Sequence, residues 1–321
     1  MVVLRLLAAL FCLHAATAHA KSYEDIKGNP LSVKLGISIP SLNMELRERH
    51  IAQLDALEYV PHTRSSTYLS VAYDWWGFSV SSVNATADED DRMKGKSKAQ
   101  DWQFRFNFEK TSYEFFYQNY QGYFLEDHPS QPRAVNAPYL QFPDMRTEHF
   151  GANFLYNWNP DDFSIAAVMD QTERQNHSSW AWLLGASVHG MRFANPTSIV
   201  PTALQSTFGE FNNVRSGRLY STLAGAGLGG TWVPAEKFYV SGLAVVYFGV
   251  EKQSIESTTE DYEYFGTTSK IHMKMSVGYN GDQWVSGVQA NSDAAKYNVR
   301  NAEMNFMNMA IQLFVGRRFD L

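Results

Sequence analysis

The segment DWQFRFNF, residues 101–108, decides the fold, because aromatic and polar side chains alternate in it without a break. One face carries Trp102, Phe104, Phe106 and Phe108, and the opposite face carries Asp101, Gln103, Arg105 and Asn107. An α-helix would scatter the four aromatic side chains around its circumference, whereas a β-strand places successive side chains on opposite faces. The segment therefore predicts a strand with one aromatic face and one polar face.

The same alternation recurs in segments of roughly ten residues, which is the length of a tilted transmembrane β-strand. Clear examples are 150–158, 163–170, 271–279 and 284–290. Weaker examples are 33–47, 65–74, 76–83, 112–124, 179–192, 217–233, 237–250 and 302–319. With 101–108 they make thirteen predicted strands. Long, hairpin-ordered strands with aromatic-rich faces favour a membrane barrel over a soluble β-sandwich, whose strands are shorter.

The connections between these segments are of two sizes. Short ones lie near 75, 109–111, 159–162, 234–236 and 280–282, and a medium one covers 171–178. Long polar ones lie at 48–64, 84–99, 125–146, 251–267 and 291–301. This pattern predicts short periplasmic turns and long outer loops. It places Gln171, Glu173 and Gln175 at an outer hairpin tip.

The strand count follows from the order of these connections. Counted from the N-terminus, strand 179–192 ends on the periplasmic side, whereas strand 217–233 must begin on the outer side. One more crossing, near Thr202–Phe211, restores the order and makes fourteen strands, an even number as bacterial barrels require. Twelve strands is the alternative. The fold predicted is one antiparallel transmembrane β-barrel spanning residues 21–321.

Composition places this barrel outside the cytoplasm. Residues 1–20 carry one positive charge, an apolar stretch and a small-x-small end at Ala18–Ala20, which predicts a secretory signal peptide. The single cysteine, Cys12, lies in that segment, so the mature chain has no disulfides. Removing Arg5 with it leaves 33 acidic residues and a net charge of −7, which argues against a nucleic-acid partner. The predicted location is the outer membrane of a Gram-negative bacterium.

Several motifs connect the chain to a known family. The matching stretches are Tyr59–Pro61, YLSVAYDWWGFSVS at 68–81, KGKSKAQDWQF at 94–104, FFYQNYQGYFL at 115–125, FSIAAVMDQTERQNHSS at 163–179 and LLG at 183–185. In these the chain resembles a family of outer-membrane barrels known as domain of unknown function 4421. The resemblance implies an exported barrel and assigns no activity. Its C-terminal aromatic, Phe319, lies two residues before the end, an atypical position for a signal to the barrel-assembly machinery.

The two faces of the strands supply the candidate functional residues. The polar residues of 101–108 are predicted to line the lumen together with Glu114, Gln118, Asn153, Asn157, His272 and Lys274. The aromatic residues of 101–108 are predicted to face lipid, or a neighbouring protomer, together with Tyr113, Phe115 and Tyr117. A mixed-charge lining would suit a weakly selective aqueous pore, or would fill the interior as in small barrels.

Catalysis and metal binding find little support in the sequence. No two of the seven histidines outside the signal peptide are spaced as a metal pair, and no nucleophile elbow is present. The acidic run Asp88–Asp91 could bind divalent ions, although a solvated charge run is the simpler interpretation. We therefore expect no enzyme activity, no metal and no cofactor.

The function predicted from these observations is a porin-like passive pore for small solutes. The alternative is a non-conducting structural or lipid-interacting barrel, either monomeric or homo-oligomeric. The partners expected in either case are outer-membrane lipid and lipopolysaccharide.

Overall fold

A computed structural model describes residues 22–25, 30–48, 56–83, 90–129, 132–209, 211–258, 261–299 and 302–320. The predicted signal peptide, residues 1–20, lies outside these ranges. Within them, no helix is long and apolar enough to cross a membrane.

Strands dominate the structure. They are β1 (Tyr23–Asp25), β2 (Leu31–Glu48), β3 (Leu57–Val60), β4 (Ser66–Tyr73), β5 (Trp76–Val83), β6 (Lys98–Asn107), β7 (Thr111–Leu125), β8 (Leu140–Asn157), β9 (Glu173–Gln175), β10 (Ser179–Ala194), β11 (Val214–Ala235), β12 (Phe238–Ser257), β13 (Tyr262–Asn280), β14 (Trp284–Val299) and β15 (Ala302–Phe319). Two short α-helices, α1 (Asp90–Lys94) and α2 (Ile165–Met169), and a 3₁₀ turn at Thr202–Leu204 interrupt them.

Twelve of the described strands close into an antiparallel ring in the order β2, β4, β5, β6, β7, β8, β10, β11, β12, β13, β14, β15. The ring closes because β15 pairs with β2 along its whole length, from Ala302 opposite Glu48 to Phe319 opposite Leu31. A closed ring leaves no unpaired edge in the wall. We call the end with the short connections 74–75, 108–110, 236–237 and 281–283 the turn end, and the opposite end the loop end.

One part of the wall is built differently. Strands β4 and β5 have only 8 residues each, and β6 has 10. On the loop-end side of these strands, β3 joins β2 directly to β7, through Tyr59 opposite Met44 and opposite Leu125. The ring is therefore narrower at its loop end than at its turn end.

The outward face carries an apolar band. On β15, Met307, Met309, Ile311, Leu313 and Val315 are exposed while the residues between them are buried. Seven of the eight tryptophans lie at the turn end of this band: Trp75, Trp76, Trp158, Trp180, Trp182, Trp232 and Trp284. Lipid-facing residues of transmembrane barrels show this combination of an apolar belt and an aromatic border.

The predicted strand at 163–170 is wrong. Residues Ile165–Met169 form helix α2, which begins at Ser164, whose side chain accepts a hydrogen bond from the Ala167 backbone nitrogen (2.8 Å). All five helix residues are buried inside the ring. A short, wholly apolar run fits a buried helix and a buried strand equally well, so periodicity alone could not separate them.

The predicted strand near Thr202–Phe211 is also absent from the described residues, where a 3₁₀ turn stands instead. Without a strand at 163–170, short and long connections alternate correctly around the ring. The number of wall strands is therefore twelve, the alternative given above. Segments predicted as long loops at 251–267 and 291–301 largely continue β12, β13 and β14. Residues Gln171–Gln175 lie at the turn end, inside the ring, and not at an outer tip.

Closure of the ring predicts a specific cross-link. Ile37 on β2 and Leu313 on β15 are backbone partners and both are exposed outward, so cysteines at these positions lie within disulfide range. Oxidation of Ile37→Cys/Leu313→Cys should join the first and last strands, detected as an altered electrophoretic mobility that reductant reverses. The matched control Ile37→Cys/Gln312→Cys places the thiols on opposite faces and should not cross-link. An unlinked first pair would contradict the closed ring.

Candidate functional site

The lumen at the turn end is occupied by residues 158–178, which we call the inserted segment. It leaves the wall after β8, forms α2 and β9, and returns to the wall at β10. Phe163, Ile165 and Val168 are buried against wall residues that include Leu183 and Leu223. Strand β9 also pairs with β1, so the start of the described chain is held at this end.

Glycines in the wall make room for this packing. A Cβ atom at Gly229 would lie 2.7 Å from the ring of Phe163 on the inserted segment. A Cβ atom at Gly185 would lie 2.5 Å from the hydroxyl of Tyr247, which also projects into the lumen. Larger side chains on these inward faces would therefore exclude the groups that now fill the lumen.

Three consecutive backbone carbonyls of the inserted segment bind cationic side chains from three different strands. Lys274 Nζ donates to Met169 O (3.0 Å), Lys34 Nζ donates to Asp170 O (2.6 Å), and Arg318 Nη2 donates to Gln171 O (2.6 Å). All three cationic side chains are buried. The carbonyls supply the hydrogen bonds that buried cations require, because each cation would otherwise lose the water that solvates it.

The one carboxylate of this cluster belongs to Asp170. Arg105 donates to its Oδ1 through Nε (2.8 Å) and Nη2 (2.7 Å), and Asn107 Nδ2 donates to its Oδ2 (2.7 Å). Both charged side chains are almost completely buried, at 2% and 1% exposure. We call Lys34, Arg105, Lys274 and Arg318 the cation cluster. It fastens the inserted segment to β2, β6, β13 and β15.

The polar residues predicted to line the lumen all point into it. Asp101, Arg105, Asn107, Glu114, Gln118, Asn153, Asn157, His272 and Lys274 are buried, and Gln103 is half-buried. Their hydrogen bonds join them to each other, to the inserted segment and to further wall residues. Gln118 donates to Asp101 (3.0 Å), Asn153 donates to Glu114 (3.0 Å), and Asn157 donates to Phe163 O (2.6 Å). Whether water also reaches them stays a prediction.

Contacts also bridge the lumen at its middle. Lys270 Nζ on β13 donates to Asn153 on β8 (2.9 Å), although three strands separate β8 from β13 along the wall. His189 on β10 lies 2.9 Å from the hydroxyl of Tyr297 on β14, across the same space. Asp293 pairs with Lys270 and His272, each at 3.0 Å. Side chains from strands that are not neighbours in the wall thus meet inside the ring.

The lumen at the loop end is apolar. The connection between β10 and β11 folds inward and buries Ile199, Val200, Leu204, Phe208 and Phe211. These pack in one cluster with inward residues of the surrounding strands, among which are Leu42, Tyr123, Met191, Phe193, Tyr297 and Met304. A core of this kind is typical of a protein interior and not of an aqueous channel.

The turn end is held by an exposed ion-pair network. Arg174, on β9, binds Glu24 and also Asp282 (2.7 Å), and Lys237 binds Asp282 (3.0 Å). Hydrogen bonds from Arg174 and Lys237 lower the pKa of Asp282 to about 2. This network holds β9 in position. Because Asp282 is solvent-exposed, the network adds little to the free energy of unfolding.

The aromatic residues predicted to face lipid or a protomer point outward. Trp102, Phe104, Phe115 and Tyr117 are exposed, Phe106 and Phe108 are half-buried, and Tyr113 is buried. Tyr113 is covered by the rings of Phe108 and Phe154, at centroid distances of 6.2 and 5.2 Å. Which partner covers this surface stays a prediction.

Sequence reasoning missed Lys34, Asp170, Lys270 and Arg318. Lys34 and Arg318 carry a usable signal, because each alternates with outward apolar residues of its strand and so must point inward. Asp170 was assigned to a strand that does not exist. Among the residues that the structure describes, no three histidine, aspartate or glutamate side chains are grouped to hold a metal ion.

Comparison with known proteins identifies a family. The family model described as "Domain of unknown function (DUF4421)" matches residues 20–319. No curated protein matches the chain.

Several solved barrels are similar in structure at very low identity. The outer membrane protease OmpT from Escherichia coli has a TM-score of 0.42 and 8% identity, with 91% of this chain and 98% of that chain covered. The β domain of the Bordetella autotransporter BrkA has a TM-score of 0.38 and 10% identity, with 89% and 99% covered. Outer membrane protein AlkL has a TM-score of 0.31 and 9% identity, with 96% of each chain covered.

The buried ion pair predicts a large asymmetry between single and double variants. Arg105→Met leaves Asp170 buried without its main cationic partner and should lower the free energy of unfolding by about 3–5 kcal/mol. Arg105→Met/Asp170→Leu removes both members of this closest ion pair and should cost less than the sum of the two single variants. The measurement is denaturant unfolding in lipid vesicles.

The matched control is Arg218→Met. Its ion pair with Glu256 is exposed, at 61% and 52%, and should contribute less than about 1 kcal/mol. Equal losses for Arg105→Met and Arg218→Met would contradict the role of Asp170 in holding the inserted segment.

Proposed function

This chain belongs to the DUF4421 family, whose description assigns no activity, and we propose that it is an outer-membrane barrel with a closed lumen. This is the second of the two functions considered from the sequence, a non-conducting structural or lipid-interacting barrel. The observation that carries it is the filling of the lumen at three levels: the inserted segment, the contacts from wall to wall, and the apolar cluster.

The outward surface supports the membrane location. Exposed apolar residues follow neighbouring strands, such as Ile271, Met273 and Met275 on β13 and Val246 and Phe248 on β12. Apolar surface of this extent is covered by lipid or by a partner in the native environment. Because short turns of such barrels face the periplasm, the turn end with the inserted segment belongs on the periplasmic side.

The porin-like pore remains the second candidate, since its charged inward lining is present. A passive pore, however, needs a continuous water path past Arg105, and Arg105 is bound to Asp170 of the inserted segment. Catalysis has no place in the proposal. Outer-membrane lipid and lipopolysaccharide are the partners that the outward band requires, and the aromatic surface around Phe104 and Phe115 is a candidate protomer contact.

Closure of the lumen is tested by conductance. The folded protein in planar bilayers should give no single-channel steps, because side chains fill the lumen at each level. A general porin reconstituted in the same way supplies the positive control. Regular conductance steps from the folded chain would overturn the proposal in favour of the pore.

Thiol labelling gives an independent measurement of closure, on a mature chain that is predicted to lack cysteine. Gln118 on β7 is buried in the lumen, whereas Gln121 on the same strand lies on the outward side beyond the apolar band. With a water-soluble maleimide, Gln118→Cys should react at least about tenfold more slowly than Gln121→Cys, because a buried thiol is protected from aqueous reagents. Equal rates would indicate an open, water-filled lumen.

A further inference from the structure

Charged side chains follow the outward face just beyond the apolar band, on the loop-end side. On β14, β15 and β2 they form close pairs of opposite charge: Lys296 with Glu303 (2.7 Å) and Arg47 with Glu45 (3.1 Å). On β10 and β11 the arrangement differs, because Arg192 and Arg218 are direct backbone partners. Like charges directly opposite each other in an antiparallel pair are destabilising.

Each of these two arginines also has an acidic neighbour, at a longer distance than in those pairs, and Glu148 on β8 is the direct backbone partner of Arg192 on its other side. Arg192 lies 3.5 Å from Glu148, and Arg218 lies 3.6 Å from Glu256. Arg146, one step further toward the loop end on β8, is exposed and donates only to Gln121 (3.3 Å). We call Arg146, Arg192 and Arg218 the arginine patch. Its three positive charges exceed the two carboxylates beside it.

A built aromatic platform lies directly below the patch. The ring of Phe150 covers Gly190 on β10, where a Cβ atom would approach the ring to 2.5 Å. Phe150 packs edge-on against Tyr220 (6.3 Å between centroids), and the Arg192 guanidinium lies 5.0 Å from the Phe150 ring. Arg192 Nη2 also donates to the Tyr220 hydroxyl (3.2 Å). The absence of a side chain at Gly190 thus leaves room for the Phe150 ring, which in turn contacts and orients the Arg192 guanidinium.

The rows of side chains on this surface match the layers of a membrane leaflet. Val188 and Leu184 on β10 are exposed and apolar, the Phe150–Tyr220 row follows, and the arginines come next. In a bilayer the same order is acyl chain, interfacial aromatic belt and headgroup phosphate. Guanidinium groups bind phosphate oxygens through paired, charge-assisted hydrogen bonds.

We propose that the arginine patch binds the phosphate groups of a phosphorylated lipid of the outer leaflet, with its acyl chains against Val188 and Leu184. The inference rests on the proposed outer-membrane location and deepens the lipid-interacting function. The lipid phosphate balances the positive charge that Glu148 and Glu256 leave unbalanced among the three arginines. On the opposite side of the barrel, Arg47 and Lys296 have closer carboxylate partners, so we expect no phosphate binding there.

The test is lipid binding to the purified full-length protein in detergent, followed by native mass spectrometry. The probes are diphosphorylated lipid A, the same lipid after removal of its phosphates, and inorganic phosphate. The folded protein should retain diphosphorylated lipid A. Arg192→Gln/Arg218→Gln should bind it at least about tenfold more weakly, because charge-assisted hydrogen bonds to phosphate are lost.

The matched control is Arg47→Gln/Lys296→Gln, which removes two outward charges at a similar height and should bind like the unaltered protein. Equal binding of the dephosphorylated lipid, unchanged binding by the Arg192/Arg218 variant, or retention of inorganic phosphate as well as lipid A would overturn the inference. Both variants change exposed side chains, so folding should be preserved, which the mobility shift on heating checks. Conductance tests closure alone, so the two proposals fail separately.

Discussion

The structure depends on one constraint: a ring of twelve strands is wider than its own side chains can fill. Eight strands give an interior that side chains just occupy, and each added pair widens it. Here two segments between wall strands fill the interior from the two ends of the barrel. They are the inserted segment at the turn end and the connection between β10 and β11 at the loop end. Gly185 and Gly229 have no side chain on the inward face of the wall, which leaves room for the rings of Tyr247 and Phe163. This filling is the basis of the closed lumen that we propose.

Charge inside the ring obeys the same need for partners. A cation that leaves water must recover its hydrogen bonds from the protein. The inserted segment does this with the carbonyls of Met169, Asp170 and Gln171 and with one carboxylate, so a single short stretch contacts every member of the cation cluster. Outside the ring, Arg192 and Arg218 are direct backbone partners and pair with Glu148 and Glu256 at the longer distances of 3.5 and 3.6 Å. The inner cluster is therefore completed by buried groups of the chain, whereas the outer arginines keep solvent-exposed donors.

The sequence predicted the fold well and the site in part. Alternation identified twelve wall strands, and its inward parity includes Arg105, Glu114 and Asn153, which are buried. It failed at 163–170, because an apolar run buried on all sides has no polar face to report its period. It missed Asp170 for the same reason, and with it the partner of Arg105. The same parity argument predicts that Lys34 and Arg318 point inward, since each alternates with the outward apolar residues of its strand.

By itself, then, the sequence determined the barrel. The two sides of every wall strand face different surroundings, so outward and inward residues alternate along the strand with a period of two. Only the tertiary structure decided that the lumen is filled and which groups fill it. Contacts such as Arg105 with Asp170, or His189 with Tyr297, join residues 65 and 108 positions apart. No local pattern encodes them, because they depend on the diameter of the ring and on where a segment that leaves the wall comes to rest.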